Sequence, residues 1–196
     1  MEINVGISNR HIHLKKEHKD ILFGENYELK IKKELSQHGQ YACEETLTIK
    51  TDNGEIKNVR VLGPLRNYTQ VEISKTDAYT LKINPPVRES GDLKGSETVM
   101  LIGPNGTLEA KESAIIASRH IHINTNDLEK YNLTNNEKVK IKIFGEKGGI
   151  LDNVKIKSDE TYTLELHIDT DDANAFLLKN GDIVKIEKEW WYVRKS

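Results

Sequence analysis

An internal repeat constrains the fold of this chain more than any other feature of its sequence. Val5–Leu14 reads VGISNRHIHL and Ala114–Ile123 reads AIIASRHIHI, so both segments contain Arg-His-Ile-His. Further along, Gly54–Val59 (GEIKNV) matches Gly149–Val154 (GILDNV). A chain of 196 residues has room for two small domains. We therefore predict two half-chains of similar plan.

The segments around these matches have the pattern of strands. Apolar and polar residues alternate with a period of two in Lys138–Ile143 (KVKIKI), Asn153–Lys157 (NVKIK) and Ile183–Glu187 (IVKIE). A short helical pattern follows each His-Ile-His, at Lys15–Phe23 and at Thr125–Asn132. The sequence therefore predicts a mainly β protein with two small β-barrel domains from an internal repeat, each capped by short α-helices.

One segment has the composition of a link between the two halves. Asn84–Ser96 (NPPVRESGDLKGS) is rich in proline, glycine and charge. We place the first β-barrel half at residues 1–86, and the linker with the second β-barrel half at residues 87–196.

Charge and cysteine content narrow the class of protein. Lys and Arg number 29 against 31 Asp and Glu, and the two signs are interspersed, so the sequence does not favour a nucleic-acid partner. Cys43 is the only cysteine, which excludes an intrachain disulfide and favours a reducing compartment. No signal-peptide pattern and no apolar stretch near the ~20 residues of a membrane span occur. We expect a cytoplasmic protein without a membrane partner.

The duplicated His-x-His pairs indicate metal sites. On a strand, residues i and i+2 project from one face about 6.5 Å apart, so His11 with His13, and His120 with His122, can each bind one metal ion. A single pair of this kind is more often an ordinary strand surface. Two copies at matched places in a repeat favour metal ligands.

The repeat also proposes a third ligand for each site. Glu72 in Val-Glu-Ile and His167 in Leu-His-Ile occupy matching places, and both residue types bind zinc. Alone, Glu72 would be read as a solvated strand carboxylate and His167 as a hydrogen-bonded core histidine. Their joint alignment favours ligands. Three protein ligands leave one position open, which is typical of a catalytic zinc site.

Arg66 is the candidate anion-binding residue. It lies in the predicted turn Gly63–Gln70, which leads into the Glu72 segment, and its fork of donors can hold a planar or tetrahedral anion. Arg10 and Arg119 precede the histidines by one residue, so their side chains are expected on the opposite face in structural roles. His18, His38 and Cys43 have no counterpart in the repeat and are interpreted as local or buried residues.

Several segments together resemble the PduL-type phosphotransacylases, the phosphate propanoyltransferases and their acetyl-specific relatives. The resemblance runs from about Val5 to Phe176, and its segments are NRHIHL, YACEETLTIK, VRVLGPLRNYTQVEIS, NPPVRESGDLKGS, SRHIHI and ELHIDTDDANAF. It implies a pair of β-barrel domains, two zinc ions per chain, and reversible conversion of acyl-CoA and phosphate to acyl phosphate and CoA. The substrates expected are therefore CoA, phosphate and acyl phosphate.

The resemblance also assigns residues. It implies one zinc ion on His11, His13 and Glu72, another on His120, His122 and His167, and phosphate on Arg66. Relatives that enter bacterial microcompartments carry an amphipathic N-terminal extension; here ten residues precede His11, which favours a free cytosolic enzyme. The sequence leaves CoA-contacting residues, acyl-chain preference and oligomeric state open, with a homodimer as one option. The competing readings are a di-zinc hydrolase of phosphate esters or amides and a non-catalytic zinc-binding module.

Overall fold

The structure, a computed structural model, describes residues 1–187 and is mainly β, as the sequence predicts. Strands β1 to β7 span Glu2–Ser8, His11–Lys15, Ile31–Glu34, Tyr41–Lys50, Glu55–Arg66, Gln70–Glu72 and Val87–Arg88. Strands β8 to β14 span Glu97–Ile102, Thr107–Ala117, His120–Asn124, Lys138–Ile143, Gly149–Asp159, Glu165–Asp169 and Ile183–Glu187. Helices α1 to α3 span Lys16–Phe23, Lys75–Leu81 and Thr170–Phe176, and a 3-10 turn covers Thr125–Asp127.

Six strands close into the first barrel, in the order β2, β5, β4, β8, β9, β6 and back to β2. Strands β3 and β7 add to it by pairing with β4 and β9. The alternation of β4 explains its fit to a closed sheet, because every second residue from Cys43 to Ile49 is buried.

The second barrel closes through β1, β13, β10, β12, β11, β14 and back to β1. Its strands β11 and β14 coincide with the predicted segments Lys138–Ile143 and Ile183–Glu187. In β11, Val139, Ile141 and Ile143 are buried and the residues between them are not, so the predicted alternation is confirmed.

The two barrels follow one plan. In each, the strand that carries His-x-His (β2 or β10) runs parallel to a long strand (β5 or β12) and antiparallel to a short one (β6 or β13). A helix follows the short strand, α2 in the first case and α3 in the second. The next barrel strand, β8 or β14, pairs with β4 or β11. The repeat in the sequence is therefore a repeat of the fold.

One strand of each barrel is exchanged between the repeats. Strand β1 precedes β2 in the chain but pairs with β13 and β14 of the second barrel, whereas β9 precedes β10 but pairs with β6 and β8 of the first. One compact unit accordingly comprises Ser8–Ser118 with Asp169–Asp171, and the other comprises Met1–Ile7, Arg119–Ile168 and the described chain from Asp172 onward.

The predicted division into residues 1–86 and 87–196 concerns the two copies of the repeat and stays a prediction; residues 188–196 lie outside the described residues. The expected link Asn84–Ser96 belongs to the unit that holds the first barrel. It contains β7, and the Pro86 carbonyl accepts a hydrogen bond from the Ile116 N–H at 3.0 Å. This segment therefore packs as part of the first barrel's unit.

The two predicted helices have different outcomes. Helix α1 forms at Lys16–Phe23 and ends at Gly24, whose φ of 107° suits glycine. The prediction at Thr125–Asn132 was wrong in extent, because only the 3-10 turn forms, with the Asn124 side chain accepting from the Asn126 N–H. Asn126 and its neighbour Asp127 are poor helix formers, since their side chains compete for backbone hydrogen bonds.

Each barrel has its own apolar core. Ile12 and Ile121, the middle residues of the two His-Ile-His segments, are fully buried in the first and second core, as the strand alternation predicts. Burial of such a side chain contributes about 1.5–3 kcal/mol. It therefore orients the flanking histidines to the opposite face of the strand. Within the described part of the chain, no helix has the length and apolar character needed to cross a membrane.

Candidate metal centres

The first barrel brings together the three residues predicted as its metal ligands. His11 and His13 lie on β2, and Glu72 lies directly opposite His11 on the antiparallel strand β6. One potential ligand atom from each of the three lies within 4.8 Å of the others. Both histidines are buried, so this nitrogen and oxygen cluster is largely shielded from water. We call it the first centre.

A backbone contact fixes the ring of His11. Its Nδ1 lies 2.8 Å from the Asn9 carbonyl, an acceptor only, so Nδ1 carries the hydrogen and donates. In the neutral ring the lone pair then lies on Nε2, which faces Glu72 Oε2 at 3.4 Å. Two lone pairs that face each other at this distance favour a proton or a cation beside them. This is the arrangement expected of two ligands to one metal ion.

Electrostatics separate the two histidines of the first centre. Burial lowers the pKa of His13 well below 6.5, and the positive charges of His11 and Arg66 add to that shift. Burial also lowers the pKa of His11, but the Glu72 carboxylate and the hydrogen bond to the Asn9 carbonyl together more than offset this and leave the pKa of His11 above 6.5. His13 is thus a neutral imidazole at physiological pH, and its buried Nδ1 has no hydrogen-bond partner among the described residues.

Arg66 lies beside the first centre. Its guanidinium contacts Ser90, whose Oγ lies 3.5 Å from Glu72 Oε1, and its charge lowers the pKa of both His11 and His13. Its Nη1 donates to Ser90 Oγ at 2.9 Å and to the Tyr68 hydroxyl at 3.1 Å.

The predicted turn at Gly63–Gln70 was wrong at its start, because β5 continues through Arg66. Gly63 pairs with Tyr41, and a Cβ on Gly63 would stand 2.2 Å from the Tyr41 ring. The missing side chain therefore leaves room for the Tyr41 ring over β5. Arg66 is the last residue of a strand, which fixes its backbone more firmly than a turn would.

Sequence reasoning missed two residues of the first centre, Gln70 and Ser90. Gln70 is fully buried, and its Nε2 donates to Glu72 Oε1 at 2.5 Å and to Ser90 Oγ at 2.8 Å. Its own Oε1 accepts from the Gly91 N–H at 2.7 Å. Gln70 lies two residues before Glu72 on one strand face, which is a signal that could have found it. Ser90 comes from the expected link and gave no such signal.

The second barrel repeats the arrangement with three histidines. His120 and His122 lie on β10, and His167 lies directly opposite His120 on β13. Their candidate ligand atoms also lie within 4.8 Å of one another, and the ring centroids are 4.5–5.1 Å apart. We call this cluster the second centre. Each predicted set of three is therefore brought together within its own barrel.

Two further side chains contact the second centre. Glu165 Oε2 lies 3.0 Å from His167 Nε2, a hydrogen-bonding distance. The Tyr162 ring stacks on His122 with centroids 3.9 Å apart. Glu165 could have been found from its position two residues before His167. Tyr162 lies before β13 begins, where no strand pattern points to it.

Arg10 and Arg119, the residues before the two His-x-His pairs, each pair with an aspartate. Arg10 Nε lies 2.9 Å from Asp77 Oδ1. Arg119 binds Asp172 through two hydrogen bonds of 2.8 and 2.6 Å. These contacts agree with the structural roles expected of both arginines, since each is anchored to the first turn region of the helix that follows its short strand.

The two histidines and the cysteine without a counterpart in the repeat lie outside both centres' ligand sets. His18 Nδ1 lies 2.9 Å from Thr69 Oγ1, and His38 is exposed. Cys43 is fully buried in the first core, and burial raises the pKa of its thiol to about 11. A thiol in that environment is inert rather than nucleophilic.

Comparison with known proteins identifies the family. Residues 4–179 match the family described as Phosphate propanoyltransferase. The chain belongs to this family. A phosphate propanoyltransferase of Thermotoga maritima is 52% identical over 185 residues, which cover 94% of this chain and 88% of the relative.

More distant relatives carry the same name. A phosphate propanoyltransferase of Rhodopseudomonas palustris is 45% identical, over 96% of this chain and 83% of its own. One from Clostridioides difficile is 44% identical, over 95% of this chain and 90% of its own. The predicted resemblance is thereby confirmed across almost the whole chain, which includes both barrels and both centres.

Proposed function

We propose that this chain is a zinc-dependent phosphate acyltransferase, which reversibly converts acyl-CoA, with an acetyl or a propanoyl group, and phosphate to acyl phosphate and CoA. One observation carries the proposal: a member of the phosphate propanoyltransferase family has a compact cluster of candidate ligands at the same place in each of two repeated barrels. An arginine beside one cluster, whose guanidinium is held by Ser90 and Tyr68, supports a phosphate substrate.

The residues present fit zinc. Neutral imidazole nitrogen and carboxylate oxygen are common zinc ligands, and each centre offers three of them. His11, His13 and Glu72 would hold one ion, and His120, His122 and His167 the other. The buried Nδ1 of His13, which lacks a hydrogen-bond partner in the described part of the chain, is the kind of atom that a cation would satisfy. When bound, zinc supplies a Lewis acid for an acyl oxygen and a positive charge that favours the CoA thiolate.

Arg66 supplies the orientation of phosphate in this proposal. In the direction of acyl phosphate formation, a phosphate oxygen bonds to the thioester carbonyl carbon, the carbon–sulfur bond breaks, and CoA leaves as the thiolate, which is then protonated. The guanidinium, held by Ser90 and Tyr68, aims its remaining donors at the phosphate oxygens. Holding phosphate beside the thioester carbonyl makes the reaction between the two substrates effectively unimolecular, which lowers its entropic cost. The step needs no protein nucleophile, in agreement with the burial of Cys43.

A coupled assay tests the proposal. Purified protein is supplied with CoA and either acetyl phosphate or propanoyl phosphate. Thioester formation is followed by its ultraviolet absorbance, and consumption of CoA is followed by the loss of free thiol. We expect thioester and phosphate in equal amounts, and no turnover after treatment with a zinc chelator. Consumption of acyl phosphate at the same rate without CoA would replace the proposal with a di-zinc hydrolase. Zinc binding without any turnover would leave a non-catalytic zinc-binding module.

A further inference from the structure

The residue two positions before the third ligand differs between the barrels. It is a glutamine where the ligand is a carboxylate, and a glutamate where the ligand is an imidazole. Gln70 precedes Glu72 on β6, and Glu165 precedes His167 on β13. Their registers are equivalent, since Gln70 lies opposite His13 and Glu165 lies opposite His122. Each barrel therefore presents a face of four side chains, with two from the His-x-His strand and two from the short strand.

In both barrels the extra residue bonds to the third ligand, but the donor and the acceptor are reversed. In the first barrel the Gln70 amide donates to Glu72 Oε1, which leaves Glu72 Oε2 to face His11. In the second barrel the Glu165 carboxylate lies 3.0 Å from His167 Nε2. Because an ionised carboxylate only accepts hydrogen bonds, His167 Nε2 must carry the hydrogen and donate it. A carboxylate ligand thus has an amide donor beside it, and an imidazole ligand has a carboxylate acceptor.

We propose that Gln70 and Glu165 are matched positioning residues for Glu72 and His167, each supplying the hydrogen-bonding partner that its own ligand requires. The inference rests on the proposed zinc centres and deepens them. Gln70 holds one carboxylate oxygen so that the other is presented to the metal. Glu165 takes the Nε2 hydrogen of His167, so that the lone pair is fixed on Nδ1.

The surroundings of both residues support this role. Gln70 is fully buried, and its amide is fixed at both ends, because Oε1 accepts from the Gly91 N–H at 2.7 Å. Its amide therefore cannot turn over without losing that bond, and Nε2 stays aimed at Glu72. Glu165 lies where Gly6 leaves room, since a Cβ on Gly6 would stand 2.8 Å from the Glu165 Cδ.

One isosteric substitution tests each of the two positioning residues. In Gln70→Glu a second carboxylate replaces the donor beside Glu72, and in Glu165→Gln an amide replaces the carboxylate beside His167. Zinc affinity is measured on the metal-free full chain by competition with a chromophoric chelator, with Glu146→Gln as an exposed control. Loss of such an outer partner lowers metal affinity about 10- to 100-fold. We expect that loss for one of the two zinc equivalents in each variant and no change in the control.

A swap gives the sharper test. Glu72→His alone leaves an imidazole beside a fixed amide donor, so its zinc affinity should fall. Adding Gln70→Glu rebuilds in the first barrel the pairing found in the second, and the double variant should bind the first-centre zinc at least about ten-fold more tightly than Glu72→His does. The melting temperature of each metal-free variant is recorded to separate ligand positioning from folding.

The outcomes discriminate between the claims. Unchanged affinity in both single variants, or no gain in the double variant, overturns the positioning role while leaving the zinc centres standing. Complete loss of one zinc equivalent in Glu165→Gln also overturns it, because Glu165 would then be a ligand itself. A wild-type chain that binds no zinc overturns both this inference and the proposed centres.

Discussion

At the level of single residues, a substitution of Arg66 can test the orientation of phosphate without removing a metal ligand. Its Nη1 alone contacts both Ser90 and Tyr68, so its fork is fixed in direction. A lysine carries the charge as a point and cannot reproduce that fork. Arg66→Lys should therefore lower kcat/KM for phosphate or acyl phosphate roughly 30- to 1000-fold, or about 2–4 kcal/mol, if the contact acts on the developing charge.

Steady-state kinetics of Arg66→Lys and Arg66→Ala provide the measurement, with zinc content determined as the control. The KM for CoA should change little. A fall in kcat together with kcat/KM indicates a contact that tightens in the transition state, whereas a rise in the KM for phosphate alone indicates ground-state binding. Parameters like those of the wild type for phosphate would remove Arg66 from the site, and a defect confined to CoA would assign it to the other substrate.

Cys43 allows a prediction about reactivity. Only the thiolate reacts with alkylating reagents, and burial raises the pKa of the Cys43 thiol to about 11. At pH 8, three pH units below that pKa, roughly one thiol in a thousand is ionised. Iodoacetamide should therefore label the native chain very slowly and the urea-unfolded chain fully, as followed by mass spectrometry. Rapid labelling of the native chain would contradict the buried placement.

The sequence predicted the three-residue sets that the structure brings together, because a His-x-His pair and a repeat are both visible in one dimension. It did not predict Gln70 and Glu165, since glutamine and glutamate are common on solvated strand faces and acquire meaning only beside a ligand. Ser90 could not be predicted at all. Its contact with Arg66 depends on how the segment after α2 packs on the first barrel, which no local pattern encodes.

At the scale of elements, helix α2 is tied to the strand of the first centre by Asp77. The Asp77 carboxylate completes a capping box with Ser74 and also pairs with Arg10, the residue before His11. Asp77→Ala removes both contacts and should cost about 1–2 kcal/mol, because the buried Ser74 N–H loses its acceptor while the bond from the Asp77 N–H to Ser74 Oγ remains. The ion pair adds less, because Arg10 is well exposed and screened by water.

Asp77→Asn is the matched variant for this prediction. An asparagine keeps an oxygen acceptor for the cap but loses the charge that faces Arg10, so it should destabilise the chain less than Asp77→Ala does. Urea unfolding of both metal-free variants, compared with the wild type, measures the difference in the free energy of unfolding. Equal losses in the two variants would mean that the ion pair, and not the cap, accounts for the effect.

Strands were easier to predict than helices for a physical reason. In β11 and β14 the period-two alternation is sustained by burial on one face, so the local pattern and the tertiary structure agree. The segment Thr125–Asn132 has helical spacing of apolar residues, but its Asn and Asp side chains favour turns. Helices α2 and α3 were missed because each has only seven residues, too few to show a periodic pattern.

At the scale of the whole molecule, the exchange of β1 and β9 makes a prediction about fragments. Residues 8–118 contain all six strands of the first barrel, whereas residues 8–86 lack β8 and β9. A barrel without two strands leaves unpaired edges. We therefore expect a cooperative thermal transition for the fragment 8–118 and none for 8–86, followed by circular dichroism. A folded 8–86 fragment would contradict the strand order described for the first barrel.

That exchange was beyond the reach of the sequence. The repeat shows that two segments are alike, but not which barrel each flanking strand joins. Strands β1 and β9 both precede a His-x-His segment, so a linear reading assigns each to the half that follows it. Strand partnership is decided by long-range pairing, in which β1 meets β14 more than 170 residues later.

A zinc titration of the metal-free chain shows whether activity depends on both metal centres. The readout is the initial rate of thioester formation from acyl phosphate and CoA. With three protein ligands in each centre, the rate should rise from zero and reach its plateau at about two equivalents of zinc per chain. His11→Ala and His120→Ala should each bind about one equivalent and stay inactive, because each loses one centre. Full activity at one equivalent, or in the metal-free chain, would contradict an enzyme that works through two metal centres.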